Sequence, residues 1–221
     1  MLKQDEIAPF AAYRPSSEAP IVPMSSMEVA TEVAEKFFET DTPKGILLVR
    51  GALGVGKSHF LLSCAERFNF RTGKVHVAKI LPTARHLEAD YSEYKGSVLV
   101  FIFSVEAIAR RQERTIELWK KLLELDIAIV AEAFDETDVT GLHQEFGNQL
   151  TVANIEQPSK RDLALFALHY YSNRVPQGRP HLDVDFFRDL VSSTNSFRRI
   201  QAVILIEKIA FEKGIRLSRH Y

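Results

Sequence analysis

Short apolar runs alternate along the chain with segments whose apolar residues recur at helical spacing. The longest run shows no alternation of apolar and polar positions, which is typical of a parallel strand covered on both faces. We predict strands over Ile46–Val49, Val75–Ile80, Val98–Phe103, Ile127–Val130 and Leu150–Val152. Because helical segments separate these strands, the pattern predicts an α/β domain whose parallel strands are joined by right-handed crossovers.

Apolar residues three and four positions apart predict the intervening helices. Ser25-x-x-Glu28 has the capping-box pattern and begins the first of them. A second helix follows the first strand and continues to about Phe70, and a short one is expected over residues 84–94. Over Glu113–Leu125 the predicted apolar stripe consists of Ile116, Trp119, Leu122 and Leu123.

The two ends of the chain differ in character from this α/β part. Four prolines within residues 1–24 predict an extended arm, followed by an α/β domain over residues 25–157. Residues 158–221 predict only helices, which would form a small lid-like bundle. Their expected caps are Ser159-x-x-Asp162, then Asp183, then Asn195 or Ser196, and the last helix should end near Gly214.

The chemistry of the chain is concentrated in the segment after the first strand. Gly51-Ala52-Leu53-Gly54-Val55-Gly56-Lys57-Ser58 is a complete Walker A sequence, and a helix beginning at His59 follows it. Glycines allow the backbone N–H groups to point at phosphate oxygens, and the helix N-terminus adds partial positive charge. Lys57 would reach the β- and γ-phosphates, and the Ser58 hydroxyl would bind Mg²⁺. A glycine-rich turn with an incidental lysine is the competing explanation, and the strand–loop–helix context disfavours it.

Composition narrows the function classes. The chain has 221 residues, 46% of them apolar and 26% charged, which suits one globular α/β domain with a small appendage. Its formal net charge of −1 gives no general attraction to nucleic acid, so any DNA contact would have to be local. Cys64 is the only cysteine, which excludes an internal disulfide and suits a reducing compartment. No signal pattern or membrane-length apolar run is present, and we expect a soluble cytoplasmic protein.

Several segments resemble the AAA+ family of P-loop proteins, in the branch that contains the replication initiator DnaA and its relative Hda. The resemblance is most specific at Gly54–Leu61 and covers about residues 25–215. The other matching segments are Glu113-Arg114-Thr115, Phe146-Gly147-x-x-Leu150-Thr151-Val152, Gln157-Pro158 and Asn195-Ser196-Phe197-Arg198. It implies an AAA+ core with a helical lid, ADP or ATP as ligand, Arg198 as the sensor 2 arginine, and His59 at the family's position after the loop.

The parts that hydrolyse nucleotide in this family are altered here. The two Walker B acid positions fall on Ser104-Val105, and only a one-residue change of register would bring Glu106 to an acid's place. The sensor 1 positions, residues 131–133, lack the family's usual polar residue, and Glu145 stands at the arginine finger position. The resemblance therefore implies nucleotide binding with weakened Mg²⁺ affinity and little hydrolysis.

Three main functions remain open on this evidence, and a P-loop kinase is a weaker fourth because the predicted C-terminal helical lid fits AAA+ proteins better. The first is a nucleotide-binding regulatory or adaptor protein that associates with another AAA+ protein or a replication protein. The second is an active ATPase of the helicase-loader or initiator type, with its acid supplied by Glu106 or by a partner. The third is an interaction scaffold with a vestigial loop.

Overall fold

The computed structural model of the chain describes residues 10–12, 24–78, 87–104, 112–136, 138–174 and 184–212. Asp183, Glu106 and the expected helix end near Gly214 lie outside these residues, as does most of the predicted N-terminal arm. None of the helices in the described ranges is long and apolar enough to cross a membrane.

Six strands form one sheet. They are β1 (Phe10–Ala12), β2 (Ile46–Arg50), β3 (Val75–Ala78), β4 (Val98–Ser104), β5 (Ala128–Ala133) and β6 (Leu150–Asn154). The order across the sheet is β1-β3-β4-β5-β2-β6. All neighbours are parallel except β1, which pairs antiparallel with β3. The predicted α/β class with a parallel sheet is confirmed, whereas the short edge strand β1 was not predicted.

The helices connect and flank these strands. They are α1 (Glu28–Phe37), α2 (Lys57–Thr72), α3 (Gln112–Glu124), α4 (Thr140–Phe146), α5 (Lys160–Arg174), α6 (Val184–Ser192) and α7 (Phe197–Glu212). Single 3-10 turns lie at Ser25–Met27, Ser92–Tyr94 and Gly147–Gln149. Helix α4 was not predicted, because its seven residues are too few to show a clear helical period.

The described chain divides into two compact units. The first contains residues 10–12, Val29–Gly51 and Lys57–Ile155, and therefore the whole sheet. The second contains residues 24–28, Ala52–Gly56 and 156–212, and therefore helices α5, α6 and α7. The division passes through the Walker A segment, so the middle of that loop belongs to the second unit and its two ends to the first.

The core of the first unit is built on the stripe of α3. Trp119 is fully buried, and its ring lies 5.9 Å from that of Phe101 in β4 and 6.0 Å from that of Phe146 in α4. Leu122, on the same stripe, is also fully buried. This packing stabilises β4 and β5. In the sheet, β5 is the direct neighbour of β2, and β4 is the next strand beyond it.

The N-terminus of α5 organises the second unit. The Ser159 hydroxyl donates to the Asp162 carboxylate at 2.8 Å, and the Asp162 N–H donates back to the Ser159 oxygen at 3.1 Å. The predicted cap at Ser159 and Asp162 is therefore confirmed. Ser25 does not form its predicted capping box with Glu28: its N–H and hydroxyl donate to Asp162 instead, at 2.9 to 3.1 Å. The Asp162 carboxylate is buried and therefore needs hydrogen-bond donors, and Ser25 supplies two of them. The predicted capping box with Glu28 would have left Asp162 without these donors.

Candidate functional site

The Walker A segment begins where β2 and β5 are joined at their carboxyl ends. The Gly51 N–H donates to the Ala133 carbonyl, and the Gly51 carbonyl accepts from the Asp135 N–H, both at 3.3 Å. The strand that leads into the loop is thus held to its neighbour β5 at the edge of the sheet where ligands bind in parallel α/β folds.

The middle of the loop needs glycine at two positions. Gly54 and Gly56 have φ values of +80° and +95°, a region that side-chain-bearing residues rarely adopt. A Cβ on Gly54 would lie 2.1 Å from the Ser196 hydroxyl oxygen, so space as well as backbone angle requires glycine there. Between them Val55 is buried, whereas Leu53 is 68% exposed.

Lys57 is the first residue of α2 and is almost completely buried. Its ammonium donates to the Gly51 carbonyl at 2.8 Å and lies 4.4 Å from the centre of the Phe134 ring. Burial lowers the pKa of Lys57 below its ordinary value, and the negative charges of Glu132 and Asp135 partly offset that effect. A buried ammonium at a helix N-terminus is a strong attractor of a phosphate group.

Ser58 contacts a carboxylate that the sequence analysis missed. Its hydroxyl donates to Oε2 of Glu132 at 2.7 Å, and Glu132 is only 7% exposed. Residues 131–133 were predicted to lack the polar residue that is usual at the sensor 1 position. The signal was present in the sequence, since Glu132 is the one charged residue in an otherwise apolar strand and stands near its carboxyl end.

The predicted sensor residue lies close to the loop in the second unit. The Phe197 N–H donates to the Gly54 carbonyl at 3.1 Å, and a Cβ on Gly54 would lie 3.7 Å from Cβ of Arg198. Arg198 is exposed on the first turn of α7. His59 is exposed on the first turn of α2. The structure therefore places Arg198 close to Gly54. Separately, it places Lys57 and Ser58 close to Glu132. That these residues contact a nucleotide stays a prediction.

Two further positions at which hydrolytic residues are predicted to be altered lie within the described residues. Ser104 ends β4, one residue beyond the predicted strand end, and its backbone is in register with Glu132 of β5. Val105 and Glu106 lie outside the described residues. Glu145, at the predicted arginine finger position, lies in α4 and forms an ion pair with the Lys120 ammonium.

Ser58 and Glu132 offer oxygen atoms as metal donors. Within the described residues, no three or more histidine, cysteine, aspartate and glutamate side chains cluster as a metal site. Ser58 and Glu132 supply one hydroxyl and one carboxylate. This pair suits Mg²⁺, which is commonly bound by one or two protein oxygens together with substrate phosphates and water. The expectation of weakened Mg²⁺ affinity assumed that no such carboxylate was present.

Comparison with known proteins shows what this arrangement resembles. No protein-family model and no curated protein matches the chain. Its structure is similar to a DNA replication initiation factor, with a TM-score of 0.59 and 16% identity over 87% of this chain and 64% of the other. AMPPCP-bound DnaA from Aquifex aeolicus matches with a TM-score of 0.58 and 16% identity over 88% of this chain and 64% of the other. Domain III of the Thermotoga maritima replication initiation protein DnaA matches with a TM-score of 0.59 and 14% identity over 90% of each chain.

The chain shares the fold of these DnaA structures. At these identities the likeness concerns the fold, including the five parallel strands and the flanking helices. The chain spans 64% of the length of the first two of these structures.

Proposed function

We propose that the chain is a nucleotide-binding regulatory or adaptor module of the DnaA and Hda type, with little or no intrinsic ATP hydrolysis. The observation that carries the binding part is the Walker A segment itself. Gly54 and Gly56 have the left-handed backbone that directs loop amides toward a phosphate, and the buried Lys57 ammonium stands at the start of α2. The similar DnaA from Aquifex aeolicus is bound to AMPPCP in its structure.

The ligand would be ADP or ATP, held by the loop amides of residues 51–58, by Lys57 and, by resemblance, by Arg198. Ser58 and Glu132 are the residues that would hold Mg²⁺. When bound, the ion neutralises negative charge on the phosphate oxygens. The partner would be another AAA+ protein or a replication protein, in a cytoplasmic setting.

Weak hydrolysis follows from the position of Glu145. By resemblance, Glu145 stands where an AAA+ protein carries an arginine that reaches a neighbouring molecule's nucleotide, and its carboxylate pairs with Lys120. In related P-loop enzymes such an arginine contributes on the order of 10³ to 10⁵ in rate, so copies of this chain that associate only with one another would turn over slowly.

The Glu132 carboxylate beside Ser58 favours a second candidate function. An acid in contact with the metal-binding hydroxyl is one of the parts that an active ATPase of the helicase-loader or initiator type requires. That candidate needs a partner to supply the missing arginine.

Calorimetry with the purified chain, combined with a phosphate-release assay, separates the candidates. We expect ADP or ATP to bind, Lys57→Ala to weaken that binding by about tenfold or more, and phosphate release to stay at background. Lys74→Ala, which removes an exposed lysine in the same unit, should bind as the unmodified chain does. Turnover that Lys57→Ala abolishes would establish the ATPase, and no heat with either nucleotide would leave only the scaffold.

A further inference from the structure

The carboxylate that contacts Ser58 comes from a strand on which the resemblance predicts no acid. The resemblance to AAA+ proteins places the metal-associated acid at the end of β4, where this chain has Ser104. Glu132 is on β5, which lies between β4 and β2 in the sheet. Its backbone is in register with Val49, two residues before Gly51. Because β5 is the direct neighbour of the strand that enters the loop, an acid near its carboxyl end is closer to the loop than one on β4.

The distance between the two oxygens suits a shared metal ion. Ser58 Oγ and Glu132 Oε2 are 2.7 Å apart. Neighbouring ligands of octahedral Mg²⁺ are separated by about 3 Å, because each lies about 2.1 Å from the ion. A shift of a few tenths of an ångström would allow both oxygens to bind the ion as adjacent ligands. Alternatively, Ser58 would bind the ion while Glu132 keeps its hydrogen bond to the Ser58 hydroxyl.

Negative charge from Glu132 already offsets part of the positive charge that Lys57 would offer a polyphosphate. The Lys57 ammonium is influenced by the carboxylates of Glu132 and Asp135. The Arg50 guanidinium donates to the backbone carbonyl of Asp135. The positive charge of Lys57 is therefore shared with two carboxylates before any ligand arrives. Nucleotide phosphates would add several negative charges close to a buried anion, which is unfavourable unless a cation accompanies them.

We propose that Glu132 is the Mg²⁺-positioning residue of this site and couples nucleotide affinity to the metal. This inference rests on the proposed nucleotide binding. With Mg²⁺ present, Glu132 and Ser58 hold the ion against the phosphates; without Mg²⁺, the Glu132 charge repels them. Metal positioning by Glu132 would not by itself supply the arginine whose position the resemblance assigns to Glu145.

The test is the ratio of nucleotide affinities with Mg²⁺ and with EDTA, measured by calorimetry on the full chain. For the unmodified chain we expect Mg²⁺ to tighten ATP or ADP binding by about tenfold or more, a typical contribution of a residue that supports a metal. In Glu132→Gln this gain should fall to about threefold or less, and affinity in EDTA should rise. Glu136→Gln, which neutralises an exposed acid shortly after β5, is the matched control and should keep the full gain.

A second readout follows the metal directly. The electron paramagnetic resonance spectrum of Mn²⁺ with ADP should show protein-bound Mn²⁺ for the unmodified chain and for Glu136→Gln, and much less for Glu132→Gln. If Ser58 and Glu132 hold the same ion, the losses of Mg²⁺ gain in Ser58→Ala and Glu132→Gln should not add in the double variant.

The outcomes separate this inference from the proposed function. Nucleotide binding whose Mg²⁺ gain is the same in Glu132→Gln and in the unmodified chain would overturn the role of Glu132 and leave nucleotide binding intact. No nucleotide binding by the unmodified chain would overturn both. If a thermal melt shows that Glu132→Gln does not fold, Glu132→Asp replaces it: a several-fold loss of the Mg²⁺ gain supports the proposal, and an unchanged gain overturns it.

Discussion

The N–H of Phe197 donates a hydrogen bond to the carbonyl of Gly54, which attaches the first turn of α7 to the middle of the Walker A loop. An N–H in the first turn of a helix has no partner within that helix, and here the loop carbonyl provides one. The loop conformation and the start of the helix that carries Arg198 are therefore linked through a backbone hydrogen bond.

This contact predicts the effect of Gly54→Ala. The new Cβ would meet the Ser196 hydroxyl oxygen at 2.1 Å, in addition to the cost of about 1–2 kcal/mol for a left-handed backbone. We expect a lower melting temperature and loss of nucleotide binding. Gly96→Ala is the matched control, because Gly96 also has positive φ but nothing lies within 4 Å of its Cβ position. Equal effects of the two substitutions in a thermal melt would show that the contact with α7 is unimportant.

Asp162 predicts an acid-sensitive step in stability. Burial raises the pKa of Asp162, but the donors from Ser159 and Ser25 together outweigh it, so the net pKa is lowered. A carboxyl with a lowered pKa in the folded state stabilises the fold above its unfolded pKa and loses that contribution as pH falls through the folded value. Asp162→Asn should cost about 2 kcal/mol at neutral pH.

The difference in unfolding free energy between the unmodified chain and Asp162→Asn should stay constant above about pH 5 and shrink below the ordinary aspartate pKa of 3.8. Urea unfolding at a series of pH values measures it. Asp189→Asn, at an exposed position on α6, should show little cost at any pH. A difference for Asp162→Asn that does not change with pH would contradict the role of its charge.

Trp119 offers a test of core packing in which two substitutions should differ. Its indole N–H is buried and has no hydrogen-bond partner among the described residues. Trp119→Ala opens a cavity between Phe101 and Phe146 and should cost about 3–5 kcal/mol. Trp119→Phe keeps a ring and removes the unsatisfied donor, so it should cost less than about 2 kcal/mol. Denaturant unfolding compares them, and Leu168→Ala, at a half-exposed position on α5, is the control. Equal costs for the alanine and phenylalanine variants would argue against this account.

Cys64 should be slow to react in the native protein. Burial raises the pKa of its thiol to about 12, with a smaller opposing effect of Arg67. Because the thiolate is the reactive form, alkylation by iodoacetamide at pH 8 should be at least about a hundredfold slower than for glutathione. The rate should rise to that of glutathione in denaturant. The chain has one cysteine, so the labelled site is unambiguous, and fast labelling of the native protein would show that the thiol is accessible.

The sequence alone was sufficient for features that depend on near neighbours. Apolar runs predicted β2, β4 and β5 to within a few residues, and the Ser159–Asp162 cap was predicted from its spacing. Periodicity, turn chemistry and caps act over one or two turns of chain, so their signals can be read locally. The Walker A motif belongs to the same class, because its loop lies between a strand and a helix that are contiguous with it.

Only the tertiary structure revealed the contacts on which the site depends. Ser58 and Glu132 are 74 residues apart, and Ser25 and Asp162 are 137 apart. Whether Glu132 faces the loop is decided by the strand order, which puts β5 directly beside β2, and by a register that pairs Glu132 with Val49. No local pattern encodes that adjacency, since it results from how all the strands bury their apolar faces together. A charged residue in a buried strand could be seen in the sequence, but its partner could be found only in the fold.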